Sequence, residues 1–209
     1  DLLLGCICAK LMMESQIGYI PAIAITILIG MSIGTLCGLI ISYMHVPSFI
    51  TTLGLQYALA GIVLLITNSQ PISGLPGQFT FLGRGYVGAV PVPTIILAIV
   101  YIIGAYIIKF TEFGRSVLAV GENAKAAEMS GISVSKIKTL IFTIAGLGTA
   151  LGAVVLAARL GSGQPSAGTG ASLQALAAVY VGGTSGGKVT NTLAGVFLIG
   201  LINNGLNLM

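Results

Sequence analysis

Charge is what this chain has least of. Only 7% of its 209 residues are Asp, Glu, Lys or Arg, where a soluble domain carries about 25%. Nine basic and five acidic side chains cannot cover a 21.2 kDa globule, which excludes an ordinary soluble protein. Histidine is nearly absent: His45 stands alone, and no Asp follows Asp1. A Ser-His-Asp hydrolase is therefore excluded, and His45 reads as an interfacial loop residue. The cysteines Cys6, Cys8 and Cys37 lie in apolar stretches, with no C-x-x-C pair and no histidine partner. They read as small buried hydrophobes rather than a disulfide framework or a zinc site. No catalytic, cofactor-binding or metal-ligating residue is expected. The chain opens at Asp1 without a Met or a signal peptide, and reads as a fragment or as the ordered part of something longer.

What is present is apolar surface. Hydrophobic residues make up 56% of the chain and mean hydropathy is +1.04, so lipid is the expected surrounding. The net charge of +4 is read through loop asymmetry, not as a nucleic-acid footprint. Crossing a bilayer as a helix takes about 20 apolar residues. Residues 20–43, 49–67, 92–108, 140–158 and 192–209 meet that requirement, and none of the five contains Asp, Glu, Lys or Arg. Two weaker pieces, 2–13 and 173–181, are too short to cross and read as partial or broken membrane helices. Such helices are tolerated where protein or a water-filled cavity surrounds the freed backbone. The expected fold is all-α: a polytopic transmembrane bundle, one domain over 1–209, with broken helices inside it.

Glycine spacing suggests how the helices meet. Gly30, Gly34 and Gly38 form one GxxxG ridge, and Gly148 and Gly152 another. In lipid, close backbone approach replaces the hydrophobic effect as the source of helix association, so both ridges are expected to face other helices. The first ridge also spells G-x-S-x-G around Ser32, but a nucleophile elbow needs a strand-to-helix turn and triad partners that this chain lacks. The stretch GGTSGGKVT (182–190) nearly spells a P-loop and fails at Val189, which cannot ligate magnesium. It follows a short apolar piece rather than a strand, so it reads as a turn, with Lys188 as an orientation charge.

Charge also orients the loops. Lys109, Arg115, Lys125, Lys136 and Lys138 lie in 109–138, whereas the loop 68–91 holds only Arg84. The positive-inside rule makes 109–138 cytoplasmic and 68–91 external. Counting crossings puts the break at 44–48 inside, 159–172 outside and 182–190 inside. Within 109–138 a short helix of about eight residues, roughly 12 Å long, is marked at both ends. Asn123 is its N-cap, and Gly131 takes the left-handed position that stops it, with Ile132 folding back. Lys125 and Glu128 are i,i+3 neighbours on its surface. Small side chains suit it to docking on a partner.

Proton-coupled carriers usually keep an ionisable group in the membrane, and the five spans offer none. A path lined by neutral groups would suit a neutral, hydroxyl-rich solute. The candidate lining is Phe49, Thr51, Thr52, Gln56, Asn203, Asn204 and Asn207. The same residue types also serve as hydrogen-bonding links between helices, and both readings stay open.

Five stretches carry a family resemblance: VPSFITTLG (46–54), TNSQPISGL (67–75), TEFGRSVLAVGENAKAAEMSGISVSKIK (111–138), ARLGSGQPSAGTGASLQALAAVYVGGTS (158–185) and LINNGLNL (201–208). Together, and in this order, they resemble the membrane-spanning permease subunits of bacterial ABC importers for monosaccharides of the ribose, xylose and galactose type. NNGLNL and GQPSAGTG look most like the ribose branch. The resemblance implies a multi-pass subunit of the bacterial inner membrane that is not itself an enzyme. It implies a second permease subunit, forming a homodimer, a periplasmic sugar-binding protein, and a cytoplasmic ATPase that binds the ATP and magnesium. It also implies that Gly121, Glu122, Asn123, Ala126, Ala127, Glu128, Ser130 and Gly131 form the ATPase-coupling helix within the 109–138 loop.

There are departures. Family members usually carry extra spans at both ends, which this chain is expected to lack. Their glycine segment has residues between GGTS and GGK that are missing from 182–190. Ala171 and Ser172 stand where an aromatic and an acid are common. Other readings are an ABC permease for branched-chain amino acids or a signalling sugar derivative, an ATP-independent carrier or channel, and a purely structural membrane subunit.

Overall fold

The computed structural model describes residues 2–14, 18–44, 46–168, 170–183 and 189–207. Ten helices carry the described residues: α1 (Leu2–Glu14), α2 (Tyr19–Tyr43), α3 (Ser48–Thr67), α4 (Gly77–Arg84), α5 (Val92–Phe110), α6 (Glu112–Glu122), α7 (Ala124–Met129), α8 (Val134–Leu160), α9 (Ala171–Gly182) and α10 (Val189–Asn207). Four two-residue strands join them: β1 (Ile72–Ser73), β2 (Tyr86–Val87), β3 (Val90–Pro91) and β4 (Ser162–Gly163). The fold is all-α, and α2, α3, α5 and α8 are long and apolar enough to cross a membrane. The expected fifth span forms α10, 19 residues long.

Proline sets where several helices begin. Pro47, Pro76 and Pro91 immediately precede α3, α4 and α5, with φ of −54°, −57° and −63°. Their missing N–H costs nothing there, because the first turn of a helix has no internal partner for it.

The short helix α1 lies at the centre. Cys6, Cys8 and Ala9 are fully buried, and α1 packs against α2, α3 and α8. At 13 residues, about 20 Å, it cannot cross a bilayer, and protein surrounds it as a partial membrane helix requires. Small side chains make this possible, since Gly5, Cys6, Cys8 and Ala9 let three longer helices close in. All three cysteines are buried and free.

The most extensively packed helix pair is α2 with α8. A Cβ on Gly30 would lie 2.7 Å from the Ala150 Cβ, and one on Gly38 would lie 2.8 Å from the Thr139 Cα. The first glycine ridge therefore does face a helix. The second does not: Gly148 and Gly152 are exposed and would meet nothing within 4 Å. The α8 glycine that takes part is Gly146, whose Cβ would collide with the Gly30 carbonyl. The reason is angular. Two residues advance a helix by about 200°, so Gly148 points away from the face shared by Gly146, Ala150 and Ala153.

The two ends of the bundle differ. At one, β1 pairs antiparallel with β4, Ile72 opposite Gly163 and Ser73 opposite Ser162. Arg84 reaches across there, its Nε donating to the Arg159 carbonyl at 2.6 Å and a second nitrogen to the Leu160 carbonyl at 3.0 Å. At the other end, Thr139 on α8 meets Ser42 on α2 at 3.4 Å. The segments 68–91 and 159–163 thus share one end, and the 44–48 break lies with the start of α8 at the other, as the crossing count requires. The segment 68–91 is not a bare loop, however. It folds into α4, which buries Phe79 completely, and into the β2–β3 hairpin.

Candidate functional site

Two regions carry the residues singled out above. The first is an open cleft of about 840 Å³ between α1, α2, α3, α8 and the start of α9. Phe49, Thr52 and Gln56 line it from α3, one face of that helix at i, i+3 and i+7. Thr149 lines it from α8, and Gly168, Gly170 and Ser172 from the segment entering α9. Gly168 and Gly170 have φ of +86° and +88°, a backbone that glycine adopts at little cost. They turn the chain so that the first turn of α9 reaches α3. Among the described residues no Asp, Glu, Lys or Arg lines the cleft.

The polar groups have defined roles. The Thr52 hydroxyl donates to the Ser48 carbonyl at 2.9 Å and is 3.1 Å from that of Phe49. Its hydrogen is committed, so Thr52 offers the cleft an acceptor only. Gln56 Oε1 accepts from the Ser172 hydroxyl at 3.1 Å, joining α3 to α9. Thr149 makes no side-chain hydrogen bond among the described residues and keeps both functions.

Not all the proposed path residues meet here. Thr51 donates to the Pro47 carbonyl at 3.2 Å and does not line the cleft. Asn203 and Asn204 are exposed on α10, and Asn207 ends that helix. The cleft includes no residue of α10, which packs on α9. Ser172 and Thr149 were missed, because no local motif marks them. Only the departure at 172 from the family pattern drew attention to that position.

The second region is the connector 111–133. Asn123 Oδ1 accepts from the Ala126 N–H at 3.1 Å, so it caps α7 as expected. Gly131 has φ +84°, and the Ile132 N–H donates to the Ala127 carbonyl at 3.0 Å, closing the helix end. Helix α7 has six residues, shorter than expected. The preceding stretch, not singled out as a helix in the sequence, is the 11-residue helix α6, capped by Thr111 through the Gly114 N–H at 3.1 Å. Gly121, Glu122, Asn123, Ala126, Glu128, Ser130 and Gly131 are exposed, whereas Ala127 is buried. Met129, overlooked in the sequence, is 86% exposed beside them. Lys125 and Glu128 form no ion pair among the described residues, where the pairs are Lys10–Glu14 and Glu112–Arg115.

The glycine stretch 182–190 follows a helix, α9, not the strand a P-loop needs. Gly183 has φ +61° and ends α9, and Asn191 Nδ2 donates to its carbonyl at 3.2 Å. Thr184 to Lys188, like His45, lie outside the described residues. Among the described residues no cluster of His, Cys, Asp or Glu could hold a metal.

A family model described as branched-chain amino acid transport system / permease component matches residues 2–209. The chain is 40% identical to the ribose import permease protein of Haemophilus influenzae, covering 99% of this chain and 66% of that protein. It is 38% identical to the one from Escherichia coli K12 (93% and 63%) and 42% identical to the one from Bacillus subtilis (82% and 55%). The chain thus spans somewhat less than two thirds of the length of these relatives. No solved structure matches it.

Proposed function

The chain belongs to this permease-component family, as a multi-pass protein of the inner (plasma) membrane, and from that premise we propose that it forms the translocation path of an ATP-driven ABC importer for a monosaccharide, ribose. It is a transporter subunit, and ATP hydrolysis belongs to a partner ATPase. The observation that carries the substrate class is the cleft: about 840 Å³, open, and lined among the described residues by amide, hydroxyl and apolar groups without a charge. A neutral polyol needs donors, acceptors and apolar surface for its C–H faces, and no counter-ion. The ribose permease names of the relatives support the specific sugar.

The partners are a second copy of the permease, a cytoplasmic ABC ATPase holding ATP and magnesium, and a periplasmic sugar-binding protein. The stretch Gly121 to Gly131, exposed except at Ala124 and Ala127 and with α7 capped at both ends, forms the coupling contact with the ATPase. ATP-driven movement there must alter the cleft's access, and substrate must bind the inward and outward states unequally for the cycle to run.

Reading the family description at face value would make the substrate a branched-chain amino acid. A zwitterion, however, would find neither an acid nor a base among the described residues that line the cleft. The test is uptake by the full-length protein, reconstituted in liposomes with its ATPase and binding protein. Ribose should accumulate only with ATP and should stop with vanadate. Accumulation of leucine instead, or of ribose without ATP, would overturn the reading.

A further inference from the structure

Ser172 and Gln56 lie 116 positions apart in sequence and meet at 3.1 Å across the cleft. We propose that they form one subsite that reads a vicinal diol of the sugar, with Ser172 as the positioning residue for the Gln56 amide. The inference rests on the monosaccharide reading above and goes beyond it by assigning where, and by which atoms, hydroxyls are discriminated.

The assignment follows from which atoms remain free. Gln56 Oε1 is occupied by the Ser172 hydroxyl hydrogen, and the amide nitrogen makes no hydrogen bond among the described residues. Two N–H donors therefore remain on Gln56, and two lone pairs remain on Ser172 Oγ. Without Ser172 the terminal torsion of Gln56 is broad, so the amide could present either its oxygen or its nitrogen. The bond from Ser172 selects one orientation before any ligand arrives, which reduces the ordering cost of binding.

What results is a donor pair beside an acceptor, on two elements, α3 and α9, that this contact joins. Adjacent hydroxyls of a sugar supply the complement, because each can donate and accept. Thr52, one helical turn before Gln56, adds a further acceptor, its own hydrogen being committed to its helix. Removing one hydroxyl of the diol leaves a subsite group without a partner. A site built to hydrogen-bond a hydroxyl rejects the analogue that lacks it far better than an apolar pocket discriminates by size.

Every adjacent pair of ring hydroxyls in ribose includes the one on C2 or the one on C3, so 2-deoxyribose and 3-deoxyribose together test the subsite. The measurement is kcat/KM for uptake of ribose and both deoxy sugars by the full-length reconstituted importer, at matched protein level. Comparing each variant with wild type cancels the discrimination contributed by the binding protein. Wild type should prefer ribose over at least one deoxy sugar. Ser172→Ala and Gln56→Leu should each cut that preference about fivefold, mainly through KM for ribose. The double variant should lose little more, because the two residues act as a unit. Ser172→Thr keeps the hydroxyl and should retain the preference, which separates loss of recognition from loss of folding. Preferences within about twofold of wild type in both single variants, or equal losses for all three sugars, would overturn the subsite while ribose import by wild type left the transport reading standing. A wild type that imports none of the sugars would overturn both.

Discussion

Gly34 on α2 and Gly146 on α8 pass each other with no side chain between them. A Cβ placed on Gly34 would lie 3.1 Å from the Gly146 Cα and closer still to the Phe142 carbonyl oxygen. Where the surrounding lipid is as apolar as the protein, such contact is what holds two helices together. Backbone cannot yield as a flexible side chain can. Gly34→Leu should therefore cost at least about 3 kcal/mol, read as a large fall in Tm of the detergent-purified protein. Gly148→Ala is the contrasting case. Its site is open, and replacing a helical glycine should leave stability unchanged or raise it by up to about 1 kcal/mol.

Arg84 ties the segment 68–91 to the end of α8. Its two hydrogen bonds satisfy carbonyls that the helix leaves free, and its charge complements the negative end of the helix dipole. The side chain is exposed, so water competes for these bonds. Arg84→Ala should cost about 1 kcal/mol rather than the full value of buried charged bonds. Arg84→Lys should recover part of that, because one ammonium cannot reproduce the two-pronged contact. Thermal unfolding of both variants beside wild type checks the order.

Asn123 ends α6 and starts α7: its backbone N–H donates to the Ala119 carbonyl at 3.1 Å while its side chain caps the next helix. Asn123→Ala should remove about 1 kcal/mol of local stability. A six-residue helix has little to spare. The expected outcome is a fall in ribose-stimulated ATPase activity of the reconstituted importer, with global Tm nearly unchanged. Asn123→Asp keeps the cap and should keep the activity. Equal activity in the alanine variant would remove α7 from the coupling step.

Thr52 and Gln56 should respond differently to substitution. Thr52→Val removes an oxygen whose hydrogen already bonds within α3, so ribose KM should rise no more than about threefold. Gln56→Glu removes the donors and introduces a charge into a cleft whose described lining has none. Ribose uptake should fall at least tenfold, since a charge there has no partner. Uptake measured at equal membrane abundance distinguishes the two.

Much of this architecture could be read from the chain. The long apolar runs without charges gave α2, α3, α5 and α8, because lipid leaves composition few alternatives. The caps of α7 were legible because Asn123 and Gly131 act on their immediate neighbours. What escaped notice depends on distant contacts. Helix α6 is amphipathic rather than apolar, so no long apolar run marks it. Gly146 sits in no spelled GxxxG pair with a neighbour on its own face, and only the angle at which α2 meets α8 selects it over Gly148. Asn203 and Asn204 stood out as rare polar residues in an apolar run, but α10 packs on α9 and away from the cleft. Ser172 reached the site through the glycine-permitted turn at Gly168 and Gly170, which no local pattern announces.

The placement of α3 has a mechanical side. Near its end, Val63 is fully buried, Thr67 is buried and the Ile66 carbonyl accepts from Lys10 Nζ at 3.3 Å. Near its start, Phe49, Thr52 and Gln56 border open space. A rod anchored at one end and free at the other is a lever. From Val63 back to Phe49 the arm is about 21 Å at 1.5 Å per residue. Tilting it by about 10° would carry Phe49 roughly 3.6 Å and Gln56, half as far along the arm, roughly 1.8 Å, enough to stretch its 3.1 Å bond to Ser172 past hydrogen-bond distance.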